Sequence, residues 1–174
     1  MAERNMVSIV LYGNIDSNTV RWLKWYEYSI SEISELGFSP NYIGVEGQSF
    51  NSAKITLLKK NDKKLRTSFD KDEDFTSIAL YSLPENFNQA AFDYDIYMSR
   101  TTYGMHPHIV LTISYDNFKK ISVNNTIAKL KEHIQFSHGQ IFEMSNYESP
   151  QFYAAKVNSI EAYKSLKIIQ ELNS

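Results

Sequence analysis

The chain has 174 residues, with 43% hydrophobic and 22% charged side chains and a formal net charge of -2, the composition of one globular domain with a full-sized core. The balance lacks the basic surface that general nucleic-acid binding requires, and the absence of cysteine excludes structural disulfides and thiolate metal sites. No apolar run approaches the roughly 20 residues of a membrane span, and the N-terminal segment has neither the apolar core nor the small-residue cleavage site of a secretory signal. A soluble, cytoplasmic protein that makes no direct contact with nucleic acid or membrane is expected.

Residues 6–47 read as strand, long helix, strand. Met6 to Tyr12 is β-rich and apolar. Asp16 and Ser17 are N-cap residue types, Gly37 is a helix stop and Pro40 cannot continue a helix, so Asp16 to Leu36 is predicted helical. At about 100° per residue, Trp22, Leu23, Tyr26, Ile30 and Ile33 share one face, with Leu36 at its edge. Arg21, Lys24, Glu27, Ser31, Glu32 and Glu35 lie largely opposite. Trp25 falls at the margin of the apolar face and Tyr28 within the charged one, where aromatics serve as partner anchors unless a neighbouring element covers them. Asn41 to Glu46 returns as the second strand.

Ser49 caps a predicted short helix from Phe50 to about Lys60. Gly47-Gln48-Ser49 could offer N–H groups to an anion, but an ordinary strand-to-helix turn accounts for it. The basic run Lys59, Lys60, Lys63, Lys64, Arg66 passes into the acidic run Asp70, Asp72, Glu73, Asp74. Leu65 to Phe69 and Phe75 to Leu83 read as a hairpin with Asp70 to Asp74 as its loop, either a solvated turn or an acidic dock for a basic partner. Pro84 to Ala91 is a polar connection.

Asp93 to Thr102 reads as a strand, with Tyr94, Ile96 and Met98 on one face and Asp93, Asp95, Tyr97 and Ser99 on the other. After a turn at Gly104 to Pro107, His108 to Tyr115 is the strongest strand of the second half. A helix is expected from about Asn125 to Phe136, ended by Gly139, then a strand from Gln140 to Met144. Gln151 to Val157 reads as extended, and Ser159 caps a last helix with Ile160, Tyr163 and Leu166 inward.

Segments 6–60 and 108–172 therefore share the order strand, helix, strand, helix, which allows a distant duplication inside one domain spanning 1–174. The expected fold is α+β: a mixed, mostly antiparallel sheet with helices mainly on one face and two βαβ-containing halves.

Four histidines, at 106, 108, 133 and 138, match no metal-ligand spacing, so neither a metal nor a cofactor is expected. His108-Ile-Val-Leu resembles the His-x-Thr/Ser-hydrophobic motif of the two-histidine phosphoesterases. Val110 replaces the hydroxyl, however, and the first lobe has no histidine, which removes that chemistry. No nucleophile elbow occurs. Asp93 and Asp95 share a strand face, as an acid–base pair or as charged guards of an edge.

Tyrosine is abundant, at twelve residues, and often stands beside an acid, as at Tyr94, Tyr115 and Tyr147; such surfaces suit protein partners. The segments Trp22-Leu-Lys-Trp25-Tyr26, Pro40 to Gly47 and Ser49-Phe50, in a small, mildly acidic chain free of cysteine, resemble bacterial immunity proteins that oppose polymorphic or contact-dependent toxins. The resemblance implies a non-catalytic protein that binds a cognate toxin domain in the cytoplasm. It places charge at Asp70, Asp72, Glu73, Asp74, Asp93 and Asp95, and packing at Tyr28, Tyr94 and Tyr97. The alternatives are a small enzyme with a site near the histidines and a homo-oligomeric adaptor, for example a homodimer joined through its exposed aromatics.

Overall fold

A computed structural model describes residues 2–51, 54–84 and 94–174. Its strands are β1 (Asn5–Asn14), β2 (Tyr42–Gly47), β3 (Thr56–Leu57), β4 (Phe75–Ser82), β5 (Ile96–Thr101), β6 (His108–Ser114), β7 (Gln135–Ser145) and β8 (Lys167–Asn173). The helices are α1 (Thr19–Glu35), α2 (Leu58–Asp70), α3 (Tyr115–Phe118), α4 (Val123–Lys131) and α5 (Pro150–Ala154), with a 3₁₀ turn at Ile160–Ala162. All eight strands form one open sheet in the order β3-β2-β4-β5-β6-β1-β7-β8. Every pairing is antiparallel, so the α+β class holds and the sheet is not mixed at the level of neighbours.

Parallel relations survive between strands that do not touch. Three strands separate β1 from β2, so the two run the same way and α1 crosses the sheet between them. Likewise β6 and β7 are parallel, with β1 inserted between them. Both strand–helix–strand segments therefore exist, but as split units. Beyond them the two segments differ. The first continues through β3 and α2; the second continues through α5, the 3₁₀ turn and β8.

Alternation along the strands sorts side chains to two cores. Val7, Ile9 and Leu11 join Ile78, Leu80, Ile96, Met98, Ile109, Leu111 and Ile113 beneath α1, α2 and α4. Met6, Val10 and Tyr12 join Tyr81, Tyr97, Val110, Phe142 and Met144 on the other face, covered by Ala154 of α5 and by Tyr163. The long helices thus lie on one face, and a thinner layer covers the other. No helix among the described residues is long and apolar enough to cross a membrane.

The first helix buries a face rotated from the expected one: Trp22, Trp25, Tyr26, Ser29, Glu32 and Ile33. Trp25 turns inward because its indole N–H donates to the Ile78 carbonyl at 3.0 Å. Glu32 is buried because Lys129 of α4 meets it at 3.1 Å. The cap is Asn18, whose side chain accepts from the Val20 N–H.

Four expected elements are replaced. The helix from Phe50 and the strand at Leu65 give way to α2, which buries Leu65, Ser68 and Phe69. That helical spacing was masked by a lysine-rich outer face. Gln151 to Val157 is not extended: Ser149 accepts from the Phe152 N–H, and Pro150 starts α5. The C-terminal helix is a short 3₁₀ turn followed by β8, which pairs with β7 and leaves the other sheet edge of β8 open. The helix expected to reach Phe136 ends at Lys131, and Gly139 lies inside β7.

Gly139 shows what that strand requires. A Cβ there would stand 2.4 Å from the Val10 carbonyl oxygen, against main chain that cannot swing aside. Gly104, at φ 83, has nothing within 4 Å of its Cβ position. Gly139→Ala is expected to lower the unfolding free energy by about 3 kcal/mol, and Gly104→Ala by about 1 kcal/mol from backbone conformation alone. Equilibrium urea unfolding of both variants checks the difference.

Candidate functional site

The expected site residues separate to opposite ends of the sheet. Asp70 ends α2, and Asp72, Glu73 and Asp74 form the corner into β4. Asp95 precedes β5, at the far end of β4, roughly 25 Å away at about 3.3 Å per strand residue. It is half-exposed and pairs with Arg4 at 3.9 Å. Asp93 lies outside the described residues.

The aromatic assignments need correction. Tyr94 and Tyr97 are 2% and 1% exposed. They meet edge to face at 5.0 Å on the same side of the sheet. Burial in the second core removes them as partner anchors, and the bend before β5 breaks the alternation that would have set them on opposite faces. Tyr28 is half-buried and stacked on His133 at 4.5 Å. α1 thus turns it toward the α4–β7 junction.

The acidic corner is exposed and fixed. Asp72 ends the helix in the left-handed region, at φ 55, and accepts the Thr19 hydroxyl from the start of α1 at 2.5 Å. The Ser49 hydroxyl stands 2.5 and 2.7 Å from the two Glu73 carboxylate oxygens. That hydrogen bond holds the Glu73 carboxyl below its ordinary range. The Gln48 N–H donates to the Asp74 carbonyl at 2.8 Å. Two separate segments, the start of α1 and the turn after β2, therefore brace the corner.

At the same end of the sheet, the turn between β5 and β6 projects two large apolar side chains. Tyr103 is 69% and Met105 is 89% exposed. Tyr103 also borders a groove of about 330 Å³ on the second face. Its floor is Gly44, Ser77, Ala79, Ser99 and Thr101, and its wall includes Phe152 and Val157 of the α5 segment, both exposed. Small side chains in consecutive register positions across β2, β4 and β5 leave this part of the sheet uncovered.

Three histidines converge on Tyr12. Register makes His108 and His138 its direct neighbours on β6 and β7. Their rings lie 5.7 and 5.0 Å from the Tyr12 ring, and His106 lies 6.4 Å away. The Tyr12 hydroxyl donates to the Ala154 carbonyl at 2.6 Å, pinning α5. Burial, then Tyr153, holds that hydroxyl well above its ordinary pKa, so it stays a donor. His108 Nδ1 donates to the His106 carbonyl at 2.6 Å. Burial lowers its pKa, which leaves a neutral ring with Nε2 as acceptor. Among the described residues, no group of three or more His, Asp or Glu is placed to hold a metal ion.

Two further residues escaped sequence reasoning. Lys156 follows α5 in the left-handed region at φ 58 and holds its ammonium 4.8 Å from the Tyr12 ring centroid. Arg100 is 1% exposed. It donates to the carbonyls of His133 and Asp16 at 2.9 and 2.8 Å and lies over Trp22 at 4.5 Å. Burial lowers its pKa to about 10. It ties the start of α1 to the α4–β7 turn. An arginine inside a strand pattern was a readable anomaly; Lys156 left no mark in the sequence.

No family model, curated protein or solved structure matches this chain. The site must therefore be read from its own chemistry.

His133 gives the fold a pH signature. Burial first, then Arg100, Arg21 and Lys24, lowers its pKa from 6.5 to about 4. The unfolded chain binds that proton at higher pH than the native one. The contribution is therefore full above pH 6.5 and is lost as pH falls toward 4. After allowance for solvent screening it amounts to about 2 kcal/mol. His133→Phe, which keeps a ring beside Tyr28 and cannot titrate, is expected to flatten stability against pH across that window in chemical denaturation.

Proposed function

We propose that this chain is a non-catalytic, protein-binding immunity protein that neutralises a cognate toxin domain in the bacterial cytoplasm. The observation that carries the reading is the acidic corner Asp70, Asp72, Glu73 and Asp74, in which the Asp72 and Glu73 carboxylates and the Asp74 main chain are held by hydrogen bonds, at the same end of the sheet as the exposed Tyr103 and Met105. Fixed carboxylates attract a basic partner and set its orientation at little entropic cost. Exposed tyrosine and methionine at the same end of the sheet supply desolvated contact area. A toxin domain with a basic substrate-binding surface fits this combination, and occupancy of that surface would block access to its substrate.

The surface differs from the one expected from sequence. It keeps the acidic residues 70 to 74, replaces Tyr94 and Tyr97 by Tyr103 and Met105, and leaves Asp95 to its pairing with Arg4 at the far end.

The test is titration of the purified chain with an inactive form of the toxin-like protein encoded beside it. One-to-one binding is expected. Asp72→Lys with Asp74→Lys should weaken it by about tenfold or more, mostly through a slower, salt-sensitive association rate. Met105→Ala should weaken it through faster dissociation, and Asp95→Lys should leave it nearly unchanged. Absence of binding to that neighbour would remove the reading. Equal effects of reversing Asp95 and Asp72 would move the contact away from this corner.

A further inference from the structure

On the second face, α5 and the segment after it leave a cleft of about 380 Å³ against β1, β7 and β8. Its volume lies within the range of ligand clefts, about 300–1,000 Å³. The walls bring together Tyr12, His138, Gln140, Tyr153, Lys156 and Glu171.

Two of these side chains carry charge, and each is oriented from its own wall. Lys156 occupies the position after the helix end, where the Val157 N–H donates back to the Phe152 carbonyl at 3.1 Å. A glycine there would be free of strain, whereas the lysine sits at φ 58. The conformation sets its ammonium over the Tyr12 ring. Where β7 and β8 line the cleft, the Tyr153 hydroxyl donates to Gln140 Oε1 at 2.6 Å, and Gln140 Nε2 donates to Glu171 Oε1 at 2.7 Å. The amide is thereby fixed and aims one carboxylate oxygen of β8. Neither charge is among the ion pairs of the described residues. A cation and an anion therefore line one cleft without reaching each other.

The geometry points to a binding site for a small zwitterion of the amino-acid type, its carboxylate on Lys156, its ammonium on Glu171 and its carbon body against Tyr153 and Ile160. A simple anion would satisfy Lys156 and be repelled by Glu171; a simple cation would meet the reverse. Only a ligand carrying both charges satisfies both walls. This goes beyond the toxin reading, since the cleft uses a different surface from the acidic corner.

The experiment is an NMR titration of the full chain with free α-amino acids and a linear ω-amino acid, alongside methyl-ester and N-acetyl derivatives of whichever binds. Saturable shifts at the cleft residues are expected. The ester, which lacks the carboxylate, and the acetyl derivative, which lacks the ammonium, should each bind at least about tenfold more weakly. Lys156→Gln and Glu171→Gln should each cost about tenfold; both side chains are exposed, so the fold is retained. Lys156→Gly separates binding from structure, because it should hold or raise Tm while weakening binding by at least as much as Lys156→Gln. A stronger response to the α- or to the ω-amino acid reads out the span between the two charges, and either supports the site. No saturable shift up to about 10 mM of any free amino acid, or affinities indifferent to blocking either end, would overturn it. Toxin binding has a separate readout, so failure here leaves the acidic-corner reading standing.

Discussion

Pairing of β1 on both edges is the constraint on which the rest of the structure depends. It is hydrogen-bonded to β6 on one side and β7 on the other, and Met6 to Tyr12 is buried without interruption. Its odd positions build the core beneath the long helices, and its even positions build the second core. Because β1 is inserted between β6 and β7, the second strand–helix–strand unit cannot close until the N-terminal strand is in place. The sheet is thus assembled from distant parts of the chain, an arrangement that folds slowly relative to local topologies.

The same insertion creates the histidine cluster. Tyr12 has neighbours on both sides only because β1 is central, and those neighbours are His108 and His138. Close packing of β1 against β7 also excludes any side chain at Gly139. The Tyr12 hydroxyl then reaches the α5 backbone and fixes the helix that divides the groove of the second face from the cleft beside β7. A residue that reads as ordinary strand core is therefore the hinge point of one whole surface.

Local signals in the sequence located the elements whose apolar period was clean. β1, α1, β2, β4 and β6 follow from runs of apolar residues, cap residues and Gly37. α2 was missed because five basic residues between Lys59 and Arg66 hide the spacing of Leu65, Ser68 and Phe69. Its stability comes from tertiary burial and from Asp62, which pairs with Arg66 and accepts the Tyr26 hydroxyl. β8 was missed because Ile160, Tyr163 and Leu166 have helical spacing; Tyr163 is buried in the second core with Leu166 packed against it, yet no further turn follows. In the candidate site, the acidic run was legible as composition. Its bracing by Thr19 and Ser49 was not, since both partners come from distant segments. Tyr94 and Tyr97 misled because nearby acids imply solvent, whereas the start of β5 is buried on both faces, Ile96 and Met98 in the first core and Tyr94 and Tyr97 in the second.

The two polar features of the surface are prepared in different ways. In the acidic corner the Asp72 and Glu73 carboxylates are held by hydrogen bonds to hydroxyls from α1 and from the turn after β2, so these two charges are fixed relative to the large core. The Lys156–Glu171 cleft is held by α5 and β8, a five-residue helix of the thinner second layer and an edge strand of the sheet. Elements with few buried contacts open at lower free energy than a sheet centre. The corner is therefore suited to meeting a preformed, rigid partner without rearrangement. Any change in the width of the cleft would require movement of α5, which the Tyr12 hydroxyl bond to Ala154 opposes.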